Sequence, residues 1–177
     1  MFEFDWKKLV VTMFYPVLPE QVFRAFATSA GMEAFFISEM SVFGPDGPRK
    51  PQSYFETGDR YRWRWLVGKE LRGEIIEVDA PRSLTIAFGE AKVRIDLESY
   101  NNGTLLKLTQ FDMPDSEEDR VLLHMNCRGG WIYHLTVLRA YLIHGVDIRD
   151  NDPATARSVA VDWQMGEHEK YRAEAAG

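Results

Sequence analysis

The chain has 177 residues, of which 45% are hydrophobic and 27% charged, a balance that predicts one globular domain and excludes a disordered or low-complexity protein. The net charge of −6 argues against a nucleic-acid-binding protein, which usually carries a basic surface. The single cysteine, Cys127, excludes an internal disulfide and favours a reducing compartment. No apolar run is long enough to span a bilayer, and the N-terminus lacks the pattern of a signal peptide, so we predict a cytoplasmic protein without membrane contacts.

The first predicted elements are a strand and two short helices. Lys8–Phe14 is a short β-branched run typical of a strand. Pro19 opens a helix at its first turn. The apolar stripe of this helix consists of Val22, Phe23, Phe26 and Ala30. We expect Gly31 to end the helix, and a second short helix to cover Met32–Phe36.

Beyond a loop rich in proline and glycine at Gly44–Pro51, the hydrophobic period changes to two. Short runs separated by turn signals predict an antiparallel meander. The predicted strands are Tyr61–Val67, Leu71–Val78, Leu84–Phe88, Val93–Leu97 and Thr104–Phe111. Because side chains alternate between the two faces of a strand, the apolar face of each run must point inward.

One long helix follows the meander. Asp115 and Ser116 are N-cap candidates and Gly145 is suited to the C-terminus, so the helix spans about 28 residues, or about 40 Å. Its apolar stripe contains Trp131, Leu135, Leu138 and Leu142, and continues back to Cys127 and His124. A helix with one such stripe must pack on an apolar sheet. The sequence therefore predicts an α+β fold, in which a curved antiparallel sheet wraps around a long C-terminal helix.

The last residues differ in character, and we divide the chain into a domain at 1–149 and an extension at 150–177. The extension is polar and rich in alanine, apart from an alternation of Val159, Val161 and Trp163. The segment admits a short strand, an extra helix or a docking arm, and as a strand it would pair with a sheet edge, either of its own chain or of a second copy. A homodimer formed through this extension is therefore left open.

Four stretches carry a resemblance to a known family: Leu18–Phe26, Gly73–Leu84, Gly103–Gln110, and Gly130-Trp131 followed by Leu135 and Leu138. In this order they resemble the helix-grip fold of the START-like, birch-pollen-allergen-like superfamily (SRPBCC). Within it, the chain is similar to the family related to the activator of the heat-shock-protein ATPase. It departs from that family in having Phe35-Phe36 where a tryptophan is usual. The superfamily includes ligand carriers, cyclases, lipid-transfer modules and chaperone regulators, so the resemblance implies a fold more than a function.

Aromatic residues make up 13% of the chain, and their placement admits two interpretations. In the first, the inward side chains fill the core between sheet and helix. In the second, which the resemblance supports, they enclose a cavity for a small hydrophobic or aromatic molecule. The apolar side chains predicted to line it are Phe26, Phe36, Tyr61, Trp63, Trp65, Ile75, Phe88, Ile95, Leu106, Leu108, Trp131 and Leu135. Gln110 and His124 are the predicted polar groups.

The sequence contains no strong catalytic or metal-binding motif. His124, His134 and His144 are ten residues apart, which rotates each by about 80° on a helix, so they do not share a face. Neither Cys-x-x-Cys nor His-x-x-x-His occurs. Cys127 lies three residues after His124, but an inert buried cysteine explains this pair more simply. We predict no catalytic residue, no metal and no cofactor.

Three functional hypotheses follow. The first is a non-catalytic binder of a small hydrophobic molecule in the cavity. The second, implied by the family resemblance, is a protein-partner module of the co-chaperone type that would use the outer sheet face. The basic residues predicted on that face, mixed with acids, are Arg62, Arg64, Lys92, Arg94 and Lys107. The third is a cyclase-like enzyme in which His124 titrates within the cavity.

Overall fold

The computed structural model of the protein describes residues 4–66 and 70–152. The strands are β1 (Leu9–Tyr15), β2 (Glu39–Gly44), β3 (Gly47–Pro48), β4 (Arg60–Arg64), β5 (Glu70–Asp79), β6 (Ser83–Phe88), β7 (Ala91–Tyr100) and β8 (Gly103–Phe111). Two short helices, α1 (Pro19–Phe26) and α2 (Ser29–Phe35), follow β1. The C-terminal helix comprises α3 (Glu117–Asp119), a π-helical segment (Arg120–Met125) and α4 (Asn126–His144).

All strands belong to one antiparallel sheet with the order β1-β8-β7-β6-β5-β4-β2-β3. The register of β1 runs from Leu9 opposite Gln110 to Tyr15 opposite Thr104. The chain leaves β1 at one edge and enters β2 near the other, and α1 and α2 make this connection. The predicted α+β fold is therefore confirmed, with its curved antiparallel sheet, long C-terminal helix and two short helices after the first strand.

The prediction that Gly31 ends the first helix is wrong. Helix α1 ends at Phe26, and Gly31 lies inside α2, where its backbone N–H donates to the Thr28 side chain at 3.0 Å. A Cβ atom at position 31 would lie 2.5 Å from the carbonyl oxygen of Arg24. Glycine is present here because α2 packs directly on the backbone of α1, not because the helix must stop.

The sequence pattern missed a small hairpin formed by β2 and by β3, which lies inside the loop predicted at Gly44–Pro51. Strand β2 pairs with β4, from Glu39 opposite Arg64 to Phe43 opposite Arg60, and the two-residue strand β3 folds back on β2. Strand β4 ends at Arg64, so Trp65 follows it outside the ladder. The last residue of the predicted strand, Val67, lies outside the described residues.

The inward faces agree with the period-two prediction. In β5, Ile75 is buried and its neighbour Ile76 is exposed, as alternation along a strand requires, and the pairing with β6 shifts between Ile75 and Glu77. From the C-terminal helix, Trp131, Leu135 and Leu138 are buried against the sheet. Leu142, also predicted on that stripe, is only partly buried.

Both ends of the C-terminal helix agree with the predicted caps. The Ser116 hydroxyl accepts from the Asp119 N–H at 3.2 Å, and Gly145 has a φ of 67°, the left-handed conformation that ends a helix. The π-helical segment was not predicted. None of the helices in the described part of the chain is long and apolar enough to cross a membrane.

Candidate functional site

Five rings from different parts of the chain meet between the sheet and the C-terminal helix. We call them the aromatic cluster: Phe36, Trp63, Trp65, Phe88 and Trp131. Phe36, directly after α2, is its centre and contacts the other four rings. It stacks on Trp131 with ring centroids 5.0 Å apart and an interplanar angle of 10°. Period-two alternation predicted that Trp63 in β4 and Phe88 in β6 point to the inner face of the sheet, and α4 contributes Trp131.

The cluster is unevenly buried. Phe36, Trp63 and Trp131 are almost completely buried, whereas Trp65 and Phe88 are partly exposed. The rings of Trp65 and Phe88 lie 6.4 Å apart, and each also contacts Phe36. The side of the cluster formed by Trp65 and Phe88 therefore borders solvent, and the opposite side is closed by the protein.

Gln110, a predicted polar group of the cavity, forms its side-chain contacts with other residues of the protein. Its Oε1 accepts the indole N–H of Trp131 at 2.8 Å, and its Nε2 lies 3.5 Å from the sulfur of Cys127. Gln110 is buried, so this bond satisfies two polar groups that would otherwise be desolvated without a partner. It fixes the plane of Trp131 and hence of the stack with Phe36.

Trp63 differs from Trp131 in this respect. Its ring stacks on Tyr61, with centroids 4.2 Å apart, and contacts Phe36, Trp65 and Phe88. Its indole Nε1 is buried and has no hydrogen-bond partner among the described residues. The Tyr61 hydroxyl donates to the carbonyl oxygen of Ala87, and burial raises the pKa of this phenol, so it stays protonated.

His124, the other predicted polar group, packs against the N-terminal residues. Its ring lies 5.2 Å from that of Phe4 and 5.1 Å from that of Trp6, and its Nε2 is 3.2 Å from the carbonyl oxygen of Lys8. The cation of Arg120 lies over the Trp6 ring. This arrangement fastens the N-terminal residues to the π-helical segment.

His134 is the titratable side chain at the aromatic cluster that sequence reasoning missed. Its ring meets the Phe36 ring edge-on at 4.8 Å, and its Nδ1 lies 3.2 Å from the carbonyl oxygen of Phe35. Burial lowers its pKa to about 4, although the Phe35 carbonyl favours the charged form. Since a carbonyl only accepts, Nδ1 carries the proton in the neutral ring. The signal in the sequence was its position three residues after Trp131.

The remaining predicted lining residues are buried. Phe26 contacts the ring of Phe35 rather than that of Phe36, with centroids 5.0 Å apart. The aliphatic members of the set lie in the core between sheet and helix: Ile75, Ile95, Leu106, Leu108 and Leu135. The structure thus brings four of the predicted aromatic residues together around Phe36, next to an aliphatic core.

A surface cleft of about 280 Å³ lies elsewhere, between α1, α2 and the end of α4. Arg24, Thr28 and Tyr141 are among its lining residues. It is separate from the sheet–helix junction where the sequence predicted a cavity. Within residues 4–66 and 70–152, no three His, Cys, Asp or Glu side chains are grouped so as to hold a metal ion.

An antiparallel sheet wrapped around a long C-terminal helix, with two short helices after the first strand, is the helix-grip architecture. Residues 16–143 match the model of the family described as Activator of Hsp90 ATPase homolog 1-like protein. This match covers most of the chain, and the protein belongs to that family. No curated protein matches the sequence significantly.

Solved structures share the fold. A protein from Staphylococcus saprophyticus is 26% identical with a TM-score of 0.66, covering 80% of this chain and 96% of that chain. The Aha1 dimer from Colwellia psychrerythraea is 14% identical with a TM-score of 0.63, covering 78% of this chain and 97% of that chain. DynU16, from the dynemicin biosynthetic locus, is 16% identical with a TM-score of 0.64, covering 82% of this chain but 50% of that chain.

Proposed function

We propose that the protein binds a small, flat hydrophobic molecule at the aromatic cluster. The observation that carries the proposal is the exposed side of the cluster, where Trp65 and Phe88 border solvent while contacting the buried ring of Phe36. A flat molecule enters by displacing one of these two rings and then packs against the rings behind. The apolar rings supply affinity without a charged anchor.

The energetics of such binding are favourable for a ligand of modest size. A fused-ring molecule that buries about 200 Å² of apolar surface gains about 5 kcal/mol from leaving water. Offset or edge-to-face contacts with aromatic rings add about 0.5–1.5 kcal/mol for each ring pair. Moving Trp65 or Phe88 costs part of this gain, because each loses its own contacts with Phe36.

The test is equilibrium dialysis of the purified protein with 9-fluorenone, a flat three-ring probe. Phe36→Leu removes the ring behind the exposed side, against which the probe packs, and is expected to weaken probe binding about fivefold to tenfold. The matched control is Phe43→Leu, which removes a 47% exposed phenylalanine in β2. Equal affinities of the two variants, or no binding to the unmodified protein, would contradict the proposal.

The two alternative functions predict other outcomes of the same experiment. A partner module of the co-chaperone type would leave the probe unbound. A cyclase-like enzyme would bind a flat probe at the cluster and would require a titratable side chain in contact with it. His134 is the candidate, because its ring contacts that of Phe36 in the cluster, so a cyclase-like function predicts that His134→Gln abolishes turnover of a true substrate and leaves 9-fluorenone binding intact.

We also propose that the chain forms a homodimer through residues 150–177. The description of the Colwellia relative as a dimer supports this, as does the alternation of Val159, Val161 and Trp163 in the sequence. Val159 to Trp163 lie outside the described residues. Sedimentation of the full chain is expected to give a dimer, and Val161→Asp is expected to give a monomer. A monomeric unmodified chain would contradict the proposal.

A further inference from the structure

The aromatic cluster contains two buried tryptophans whose indole N–H groups differ in hydrogen bonding. The N–H of Trp131 donates to Gln110 at 2.8 Å. The N–H of Trp63 is equally buried but has no acceptor within the described part of the chain. Two buried phenols also have acceptors, since Tyr15 donates to the carbonyl of Leu135 and Tyr61 to that of Ala87.

A buried donor without a partner is unusual in a folded protein, because it gives up its bond to water and gains nothing in return. The rings that meet Trp63 from Phe36, Trp65 and Phe88 carry only carbon or a further N–H, so they offer no oxygen acceptor. Replacing Trp63 by phenylalanine would keep an aromatic ring and remove the unpaired group. The N–H itself therefore makes no hydrogen bond that would stabilise the described part of the chain.

We propose that the Nε1–H of Trp63 is the hydrogen-bond donor that recognises the ligand. The ligand class is then narrower than hydrophobic molecules in general. It is a flat aromatic molecule with an acceptor oxygen on its edge, such as an aromatic ketone. This inference rests on the proposed function. In it, Trp63 distinguishes flat molecules that carry an acceptor oxygen from those that do not.

The geometry agrees with such a role. Trp63 lies behind the exposed side of the cluster, with its ring 5.8 Å from that of Trp65 and 5.9 Å from that of Phe88. A molecule that displaces either of those rings comes into contact with Trp63. The stack on Tyr61 holds the Trp63 ring from the other side, so the donor is fixed before the ligand arrives.

The experiment compares two probes of nearly the same shape, 9-fluorenone and fluorene, which differ in a ketone oxygen. Their dissociation constants are measured by equilibrium dialysis for the unmodified protein, Trp63→Phe and Trp6→Phe. The preference for 9-fluorenone over fluorene is expected to fall about fivefold to tenfold in Trp63→Phe. It is expected to stay unchanged in Trp6→Phe, a matched tryptophan replacement whose ring contacts Phe4 and His124 outside the aromatic cluster.

A second measurement needs no variant that could fail to fold. In the ¹⁵N-labelled protein, the indole proton of Trp63 is expected to shift downfield with 9-fluorenone and not with fluorene. If both probes bind with equal dissociation constants and shift the Trp63 indole proton equally, the role of Trp63 is overturned and the proposed function stands. If neither probe binds, the proposed function fails and this inference fails with it.

Discussion

Phe36 and Trp131 stack face to face, with their ring centroids 5.0 Å apart and their planes 10° from parallel. The pair joins the end of α2 to the C-terminal helix across 95 positions of sequence. Around it are the other rings of the aromatic cluster, so the stack fixes the spacing between the helix and the inner face of the sheet. Its removal should affect both folding and the proposed binding.

Phe36→Ala is expected to lower the free energy of unfolding by about 3–5 kcal/mol, because it leaves a cavity among four rings that cannot all move inward. Urea denaturation followed by far-UV circular dichroism gives this value. Phe43→Ala, at an exposed position, is the control and should cost less than about 1 kcal/mol. Similar losses for the two variants would show that Phe36 is not at the centre of the packing.

Gly31→Ala and Gly130→Ala should change stability in opposite directions. A Cβ at position 31 would lie 2.5 Å from the Arg24 carbonyl oxygen and 2.6 Å from the Ala25 Cα, so α2 must move away from α1. We expect a loss of about 1–3 kcal/mol. At position 130 nothing lies within 4 Å of the added Cβ, and alanine favours the helix by about 1 kcal/mol. Thermal melts of both variants measure the difference, and a loss at both positions would contradict the prediction.

The neutral ring of His134 makes stability depend on pH. Its folded pKa of about 4 lies below the ordinary value of 6.5, so the unfolded chain binds a proton more readily between these two values. The contribution of neutral His134 to the free energy of unfolding is therefore fully present above pH 6.5. It is lost as the pH falls towards 4 and amounts to at most about 3 kcal/mol.

His134→Gln should flatten the stability profile between pH 6.5 and 4, since the amide can still donate to the Phe35 carbonyl without titrating. His144→Gln, at an exposed position, should leave the profile unchanged. The measurement is the urea midpoint at half-unit pH intervals. A stability profile of His134→Gln that matches that of the unmodified protein would show that His134 does not cause the pH dependence.

Arg149 fastens the chain that follows the C-terminal helix. Its guanidinium donates to the carbonyl oxygens of Ile37 and Glu33 at 3.0 and 2.7 Å, and it pairs with Asp147 at 2.8 Å. Although desolvation acts in the opposite direction, hydrogen bonds from Arg149 and Asn151 lower the pKa of Asp147 to about 2.

Arg149→Lys keeps the charge and loses the forked geometry, so we expect a fall of about 1–3 kcal/mol in the free energy of unfolding. Arg72→Lys is the control, because Arg72 is exposed and pairs with Glu70 at the surface. A melting temperature of Arg149→Lys equal to that of Arg72→Lys would mean that the bonds to the Glu33 and Ile37 carbonyls contribute nothing.

Local rules were enough for much of the fold. Period-two alternation fixed which faces of the meander strands point inward, and helical periodicity selected Trp131, Leu135 and Leu138. Ser116 and Gly145 bounded the C-terminal helix because capping depends on residues close in sequence. These features are properties of short segments, so the amino-acid order alone determines them.

Tertiary structure decided what depends on residues far apart. Strand β2 forms because β4 supplies its hydrogen-bond partners, and Gly31 stays inside α2 because the backbone of α1 lies against it. The same holds at the aromatic cluster. No periodicity shows that Gln110 accepts the N–H of Trp131 while that of Trp63 is left unpaired, because the partners of a buried polar group are set by packing across the whole chain.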